Sequence, residues 1–241
     1  MFILSVTGFI NKCNNWNKTC KYQINIEKHL YLSYNYIKYK TNKHILQRQV
    51  DFMNVYDFDN TIYNGESAFD FFIFCLRKKP VLLKVLFPIL YDAAKYKLCK
   101  MTDEQFRDRG AYYTESFFYL FPDIQGLVKE FWDKHQHKIK PFYSKKQKDD
   151  DVIVTANVNI LVEEMFRRMG VKNYISTLFD MESGRLGEIC FGEAKAILFK
   201  QKYGTAIDDF YTDSKNDAPL MALAKKVYMV RKNKIKVLKK R

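Results

Sequence analysis

Long apolar runs are scarce in this chain. The most apolar stretch, residues 80–94, is broken by Lys84, Pro88 and Asp92, and it falls short of the roughly 20 residues a membrane-spanning helix needs. The first ten residues are weakly apolar. They lack a preceding basic stretch and a small-residue cleavage pattern, so no secretory signal is expected and the expected compartment is the cytoplasm. Histidine is rare, with 4 residues, and the 5 cysteines (Cys13, Cys20, Cys75, Cys99, Cys190) are scattered. Close-set Cys/His pairs of the zinc type are missing, which leaves buried or free thiols in a reducing compartment.

Acidic residues are also in deficit, 27 against 41 Lys and Arg, for a net charge of +14. A basic chain invites a nucleic-acid reading, but the excess sits at the ends. Residues 1–51 hold eight Lys/Arg against Glu27 and Asp51, and residues 231–241 hold seven with no acid, so the body is near neutral. Such ends read as solvated segments, and nucleic acid is not the expected partner.

The 241 residues allow one α/β core plus an inserted module. Residues 1–52 are rich in Asn, Lys and Tyr without a sustained period; they read as a disordered basic extension, or as an artefact preceding a native start at Met53. Residues 53–67 and 147–230 read as the α/β core, 68–146 as a helical insert, and 231–241 as a basic tail. Within the insert, Phe69, Phe72, Ile73 and Leu76 fall at helical spacing, as do Leu83, Leu86, Phe87 and Leu90. Thr102 followed by Gln105 marks a helix start. Short apolar runs near 53–56, 152–154, 174–179, 210–212 and 227–230 alternate with helical stretches, two of them closed by Gly170 and Gly204. That alternation predicts a Rossmann-like parallel sheet covered on both faces.

Ligands of such sheets sit at the carboxyl ends of the strands. Three polar clusters follow predicted strands: Asp57-Phe58-Asp59-Asn60-Thr61, Thr155-Ala156-Asn157 and Asp213-Ser214-Lys215-Asn216-Asp217. Carboxylates brought together repel unless a cation compensates. An oxygen-only ligand set favours Mg²⁺, which takes few carboxylates and keeps waters for a phosphate. Thr155 and Lys195 are of the type that binds phosphate oxygens.

Together these residues resemble the motifs of the haloacid dehalogenase (HAD) superfamily. The segment Asp57 to Thr61 resembles its first motif, Asp-x-Asp-x-Thr. Thr155 resembles the second, Lys195 within Gly192-Glu193-Ala194-Lys195 the third, and Asp213 to Leu220 the fourth, Asp-Ser-x-Asn-Asp-x-Pro. Their order is similar to the phosphoserine-phosphatase-like branch, over about residues 53–230.

The resemblance implies an enzyme, a phosphoric monoester hydrolase acting on a small phosphorylated substrate. It implies that Asp57 attacks phosphorus and that Asp59 serves as acid and then base. Mg²⁺ would be held by Asp57, the Asp59 carbonyl and Asp213, with Asp217 supporting. The insert would cover the site, with Glu66 and Arg109 as candidate contacts to the substrate. The sequence departs from that branch at Thr155-Ala156-Asn157, where Ser-Gly-Gly is usual, and in a larger, aromatic insert. A phosphotransferase, or a catalytically retired relative binding RNA or anionic surfaces through its basic ends, are the alternatives. Oligomeric state is not legible.

Overall fold

The computed structural model describes residues 53–240. The expectations for residues 1–52 lie outside the described residues. Six strands form the main sheet: β1 (Asn54–Tyr56), β2 (Val152–Val158), β3 (Asn173–Thr177), β6 (Ile207–Thr212), β7 (Ala224–Arg231) and β8 (Lys234–Lys240). Their order is β3-β2-β1-β6-β7-β8. All neighbours pair in parallel except β7 and β8. A two-stranded ribbon, β4 (Phe179–Asp180) with β5 (Arg185–Leu186), stands apart from it.

Strand side chains alternate between the two faces of a sheet, and each face here has its own core. Val55, Val152, Val154, Phe210 and Val227 point to one, where they meet Phe199 and Leu220. These come from α7 (Glu193–Tyr203) and the short α8 (Ala218–Met221). Tyr56, Ile153, Tyr211 and Val230 point to the other, with α6 (Asn159–Met169) and much of the insert. Helix α6 ends as its sequence predicts, on Gly170 with φ 68°.

The insert contains α1 (Ser67–Lys78), α2 (Leu83–Lys97), α3 (Asp103–Tyr119), α4 (Ile124–His135) and α5 (Pro141–Lys146). Helix α3 opens with the expected capping box between Thr102 and Gln105. The insert is divided in its packing. Phe71, Phe72 and Phe74 of α1, Phe131 and Trp132 of α4, and Tyr143 of α5 join the core beside the sheet. The Trp132 indole N–H donates to the Leu161 carbonyl of α6 at 2.6 Å. The α2–α3 hairpin instead closes a small cluster of its own around Ile89, Ala93, Phe106 and Tyr113.

One expectation changes. The basic tail over 231–241 is for the most part strand β8, antiparallel to β7; its lysines obscure the alternation of Ile235 and Val237. Leu83, Phe87 and Leu90 do lie on a helix, as their spacing predicts, but they are exposed, whereas Leu82, Ile89 and Ala93 are buried. Half-buried His135 stacks on Phe131 with ring centroids 4.2 Å apart. Cys75 and Cys190 are buried free thiols and Cys99 an exposed one.

Candidate active site

Register brings the site together. Tyr56, the last residue of β1, pairs with Ile153 on one side and Tyr211 on the other. Asp57 therefore leaves the sheet close to Thr155 and Asp213, and its N–H still donates to the Tyr211 carbonyl at 2.9 Å. The chain then turns sharply. The Phe58 carbonyl accepts from the N–H groups of Thr61, Ile62 and Tyr63. Asn60 takes φ 55°, a left-handed conformation that Asn tolerates better than most residues. Lys140 donates to the Asn60 carbonyl. The Phe58 ring is fully buried against Phe166 and Trp132, which anchors the loop between the two aspartates.

The Asp57 carboxylate is buried. Lys195 Nζ donates to its Oδ1 at 2.8 Å and lies 2.9 Å from Asp217 Oδ1. Thr61 Oγ1 is 3.4 Å from Asp57 Oδ2. Asp217 is held in turn by the Thr212 hydroxyl, which donates to Oδ2 at 2.6 Å. Desolvation alone would lower the Lys195 pKa, but Asp217 and Asp57 more than offset it, so the ammonium is held charged. Burial raises the Asp57 carboxyl well above the ordinary range, Lys195 opposes this, and Asp217 and Asp213 add to the rise.

Asp59 is clamped differently. The first N–H of α1, from Ser67, donates to Oδ1 at 2.8 Å, and Asn157 Nδ2 donates to Oδ2 at 2.7 Å. Asn157 also donates to Ser67 Oγ at 2.9 Å. Burial pushes the Asp59 carboxyl up to about 6 despite these bonds. The β2–β3 ladder is irregular between Val154 and Val158, and there the Asn157 N–H turns back to Thr155 Oγ1 at 3.1 Å. Such an irregularity re-aims side chains at a strand end, here toward Asp59.

The structure thus brings together Asp57, Asp59, Lys195 and Asp217, with Thr155 buried beside Asn157 and Asp213 half-buried at the end of β6. Glu66 occupies the N-cap position of α1, and its side chain accepts from Asn60 Nδ2, beside the same loop. Arg109 is engaged elsewhere: it pairs with buried Asp92 at 2.8 Å and donates to the Tyr113 hydroxyl. The sequence gives no sign of Ser67 or Thr212, and it places Thr61 and Asn157 in their motifs without a role. Its departure from Ser-Gly-Gly was the one available signal for Asn157.

The donor set suits a divalent cation. Three aspartate charges, from Asp57, Asp213 and Asp217, act against the Lys195 ammonium, leaving negative charge that a cation would balance. All the donors are oxygens, as Mg²⁺ prefers. Among the described residues no three His, Cys, Asp or Glu side chains form a ready cage. Mg²⁺, which takes one or two carboxylates and keeps its waters, does not require one.

A parallel α/β sheet with paired aspartates after its first strand and a buried lysine between carboxylates defines a class of hydrolytic enzymes. The haloacid dehalogenase-like hydrolase family matches residues 55–222, and the chain belongs to that family. No curated protein matches the sequence. A solved structure of a protein with unknown function from Bordetella pertussis Tohama I is similar in fold. It has 19% identity and a TM-score of 0.58, over 74% of this chain and 89% of that one. A substrate-bound phosphoserine phosphatase aligns with 17% identity and a TM-score of 0.43, over 74% of this chain and 85% of that one.

Proposed function

We propose that this hydrolase is a Mg²⁺-dependent phosphatase that cleaves a small phosphomonoester through an aspartyl-phosphate intermediate. The observation that carries the reading is the pairing of two differently held aspartates. Asp57 is tied to a charged lysine, and Asp59, two residues on, is held only by neutral donors, in a site whose burial raises its pKa to about 6 despite them. Environments that separate the protonation of two carboxylates suit a nucleophile and an acid–base group.

In the first step an Asp57 oxygen attacks phosphorus and the bond to the leaving oxygen breaks. Asp59, protonated, delivers its proton to that oxygen. In the second step Asp59, now a carboxylate, takes a proton from water as the water attacks the aspartyl phosphate. Phosphate leaves and Asp57 is restored. Lys195 and Thr155 bind the phosphoryl oxygens, whose charge is spread in the transition state. Asp57, the Asp59 carbonyl, Asp213 and Asp217 would hold Mg²⁺, which supplies charge neutralisation at the phosphoryl group. An acid poised beside the leaving group favours phosphoester cleavage over dehalogenation, because a halide needs no proton.

The leaving alcohol is not read as serine. Arg109, the candidate partner for a substrate carboxylate, is engaged by Asp92. A small apolar cavity lined by Ala68, Phe72, Val85, Phe118, Val158 and Leu161 begins one residue along the chain from each arm of the Asp59 clamp, Ser67 and Asn157. Its lining supports an apolar portion on the leaving alcohol.

The test is phosphate release from an aryl phosphate and a panel of alkyl phosphates, with Mg²⁺ and with chelator, for wild type and Asp57→Asn. Turnover that needs both the metal and Asp57 is expected, with a fall of about 10⁴-fold or more in the variant. Release of phosphate at the wild-type rate by Asp57→Asn would remove Asp57 as nucleophile. Transfer to an added alcohol in place of water would make the enzyme a phosphotransferase.

A further inference from the structure

Among the described residues no helix is long and apolar enough to cross a membrane, yet α2 carries apolar residues on two faces. Its inner face holds Ile89 and Ala93, buried against α3. Its outer face holds Leu83, Phe87, Leu90, Tyr91, Ala94 and, just past the helix end, Leu98. At 3.6 residues per turn these positions share one stripe roughly 100° wide. The stripe is open: Phe87 is 73% exposed, Tyr91 64% and Leu98 64%. Contiguous exposed apolar surface of this kind marks an interaction site.

The charges around it are of one sign. Lys84 and Lys95 fall along one flank of the stripe and Lys97 along the other, with Lys100 beyond the helix end. Lys95 lies over the Tyr91 ring, 5.3 Å from its centroid. Across residues 77–100 there are seven Lys/Arg and one acid, Asp92. That acid is buried on the inner side and paired with Arg109. An apolar stripe bordered by lysines whose stems can lie along it is the arrangement of a helix resting in a membrane interface.

We propose that the outer face of α2 docks on an anionic lipid bilayer, with Leu83, Phe87, Leu90, Tyr91 and Leu98 entering the interface and Lys84, Lys95 and Lys97 at the headgroups. Charge selects this occupant. Residues 1–51 of the same chain carry eight Lys/Arg against two acids, so like charge opposes their covering the face. A second copy would set the same lysines against each other. An anionic bilayer offers both the apolar depth and the opposite charge. The proposal stands on this face alone and does not depend on the phosphatase reading.

The experiment is sedimentation of the full chain with phosphatidylcholine vesicles containing about one-third phosphatidylglycerol, against pure phosphatidylcholine vesicles. Wild type is expected to sediment with the anionic vesicles only. The double variant Phe87→Ser/Leu90→Ser keeps every charge, and it is expected to bind about tenfold more weakly or worse. It should keep its circular dichroism and its activity on a soluble aryl phosphate. Lys84→Gln/Lys97→Gln, which leaves the apolar stripe untouched, is expected to weaken binding by a similar factor.

A third variant, F87W, reports contact directly through a blue shift of the added emission on anionic vesicles. Failure of wild type to bind would overturn the proposal. So would binding that the serine substitutions leave unchanged, or an unshifted F87W signal in sedimented protein; either result would assign attachment to the basic ends.

Discussion

The floor of the active site and the outer face of the α2–α3 hairpin depart from ordinary burial in opposite directions. At the floor, Asp57, Asp217 and Lys195 are buried charges. On the hairpin, Phe87 and Tyr91 are exposed hydrophobic residues. Folding alone favours neither arrangement, since isolated buried charge costs several kcal/mol and exposed apolar surface forgoes its burial. The rest of the fold follows local rules closely, with capping at Thr102, αL termination at Gly170, and Val55 and Phe210 facing one core while their neighbours Tyr56 and Tyr211 face the other. Where a chain follows its rules in most places, its exceptions point to work other than folding.

Experiments can break this comparison. The largest effect after loss of Asp57 should come from Asn157, whose amide holds Asp59 and Ser67. Asn157→Ala is expected to lower kcat on alkyl phosphates by about 10- to 100-fold with little change in KM, because a proton donor is misplaced and substrate contacts are kept. An equal loss on an aryl phosphate, whose leaving group needs no proton, would show that Asn157 supports the fold or the nucleophile instead.

The pH profile sharpens the same point. Burial raises Asp59 to about 6, so its acid form is lost as pH rises through that value. The ratio of kcat/KM for alkyl over aryl phosphate should therefore fall about tenfold per pH unit above 6. A ratio constant from pH 5 to 8 would exclude Asp59 as the acid.

Stability separates the two regions as well. Trp132→Ala, which removes a buried ring and its bond to the Leu161 carbonyl, should cost about 3–5 kcal/mol in urea denaturation. Phe87→Ser on the exposed stripe should change stability by about 0.5 kcal/mol or less; a cost of several kcal/mol would show that the stripe is covered within the chain.

Asp57→Asn lies between these. Its carboxyl pKa is raised by burial, so in metal-free protein wild type loses stability as pH climbs past the unfolded value near 4. The variant lacks that loss. A gain of about 1 kcal/mol at neutral pH, widening with pH, is expected with chelator present. A variant less stable than wild type at every pH would mean that the Lys195 pair outweighs desolvation.

Much of the site was legible because its residue types are forced by the chemistry. Asp57, Asp59, Lys195 and Asp217 are spread over 161 positions, yet each follows or faces a predicted strand end, and parallel pairing of β1 with β2 and β6 makes those ends meet. The supporting residues were not legible. Ser67 contributes a backbone N–H, which carries no side-chain signature. Thr212 reads as an ordinary strand residue until Asp217 turns back onto it. Asn157 depends on a ladder irregularity that alternation does not encode. In α2, periodicity finds two apolar stripes of similar quality and cannot say which faces inward. That choice is made by the packing of Ile89 and Ala93 with Phe106 and Tyr113.

Strand β8 has a consequence for how the protein behaves in quantity. Among the described residues it is the last strand of the sheet, and Lys234 and Lys236 stand exposed along it. Two such edges meeting in solution carry like charge where they would have to pair. At physiological ionic strength that repulsion extends only about 8 Å, and at 1 M salt about 3 Å. The charge guard against edge-to-edge growth is thus a short-range one that weakens in concentrated electrolyte, and this edge is where high salt is expected to promote association first.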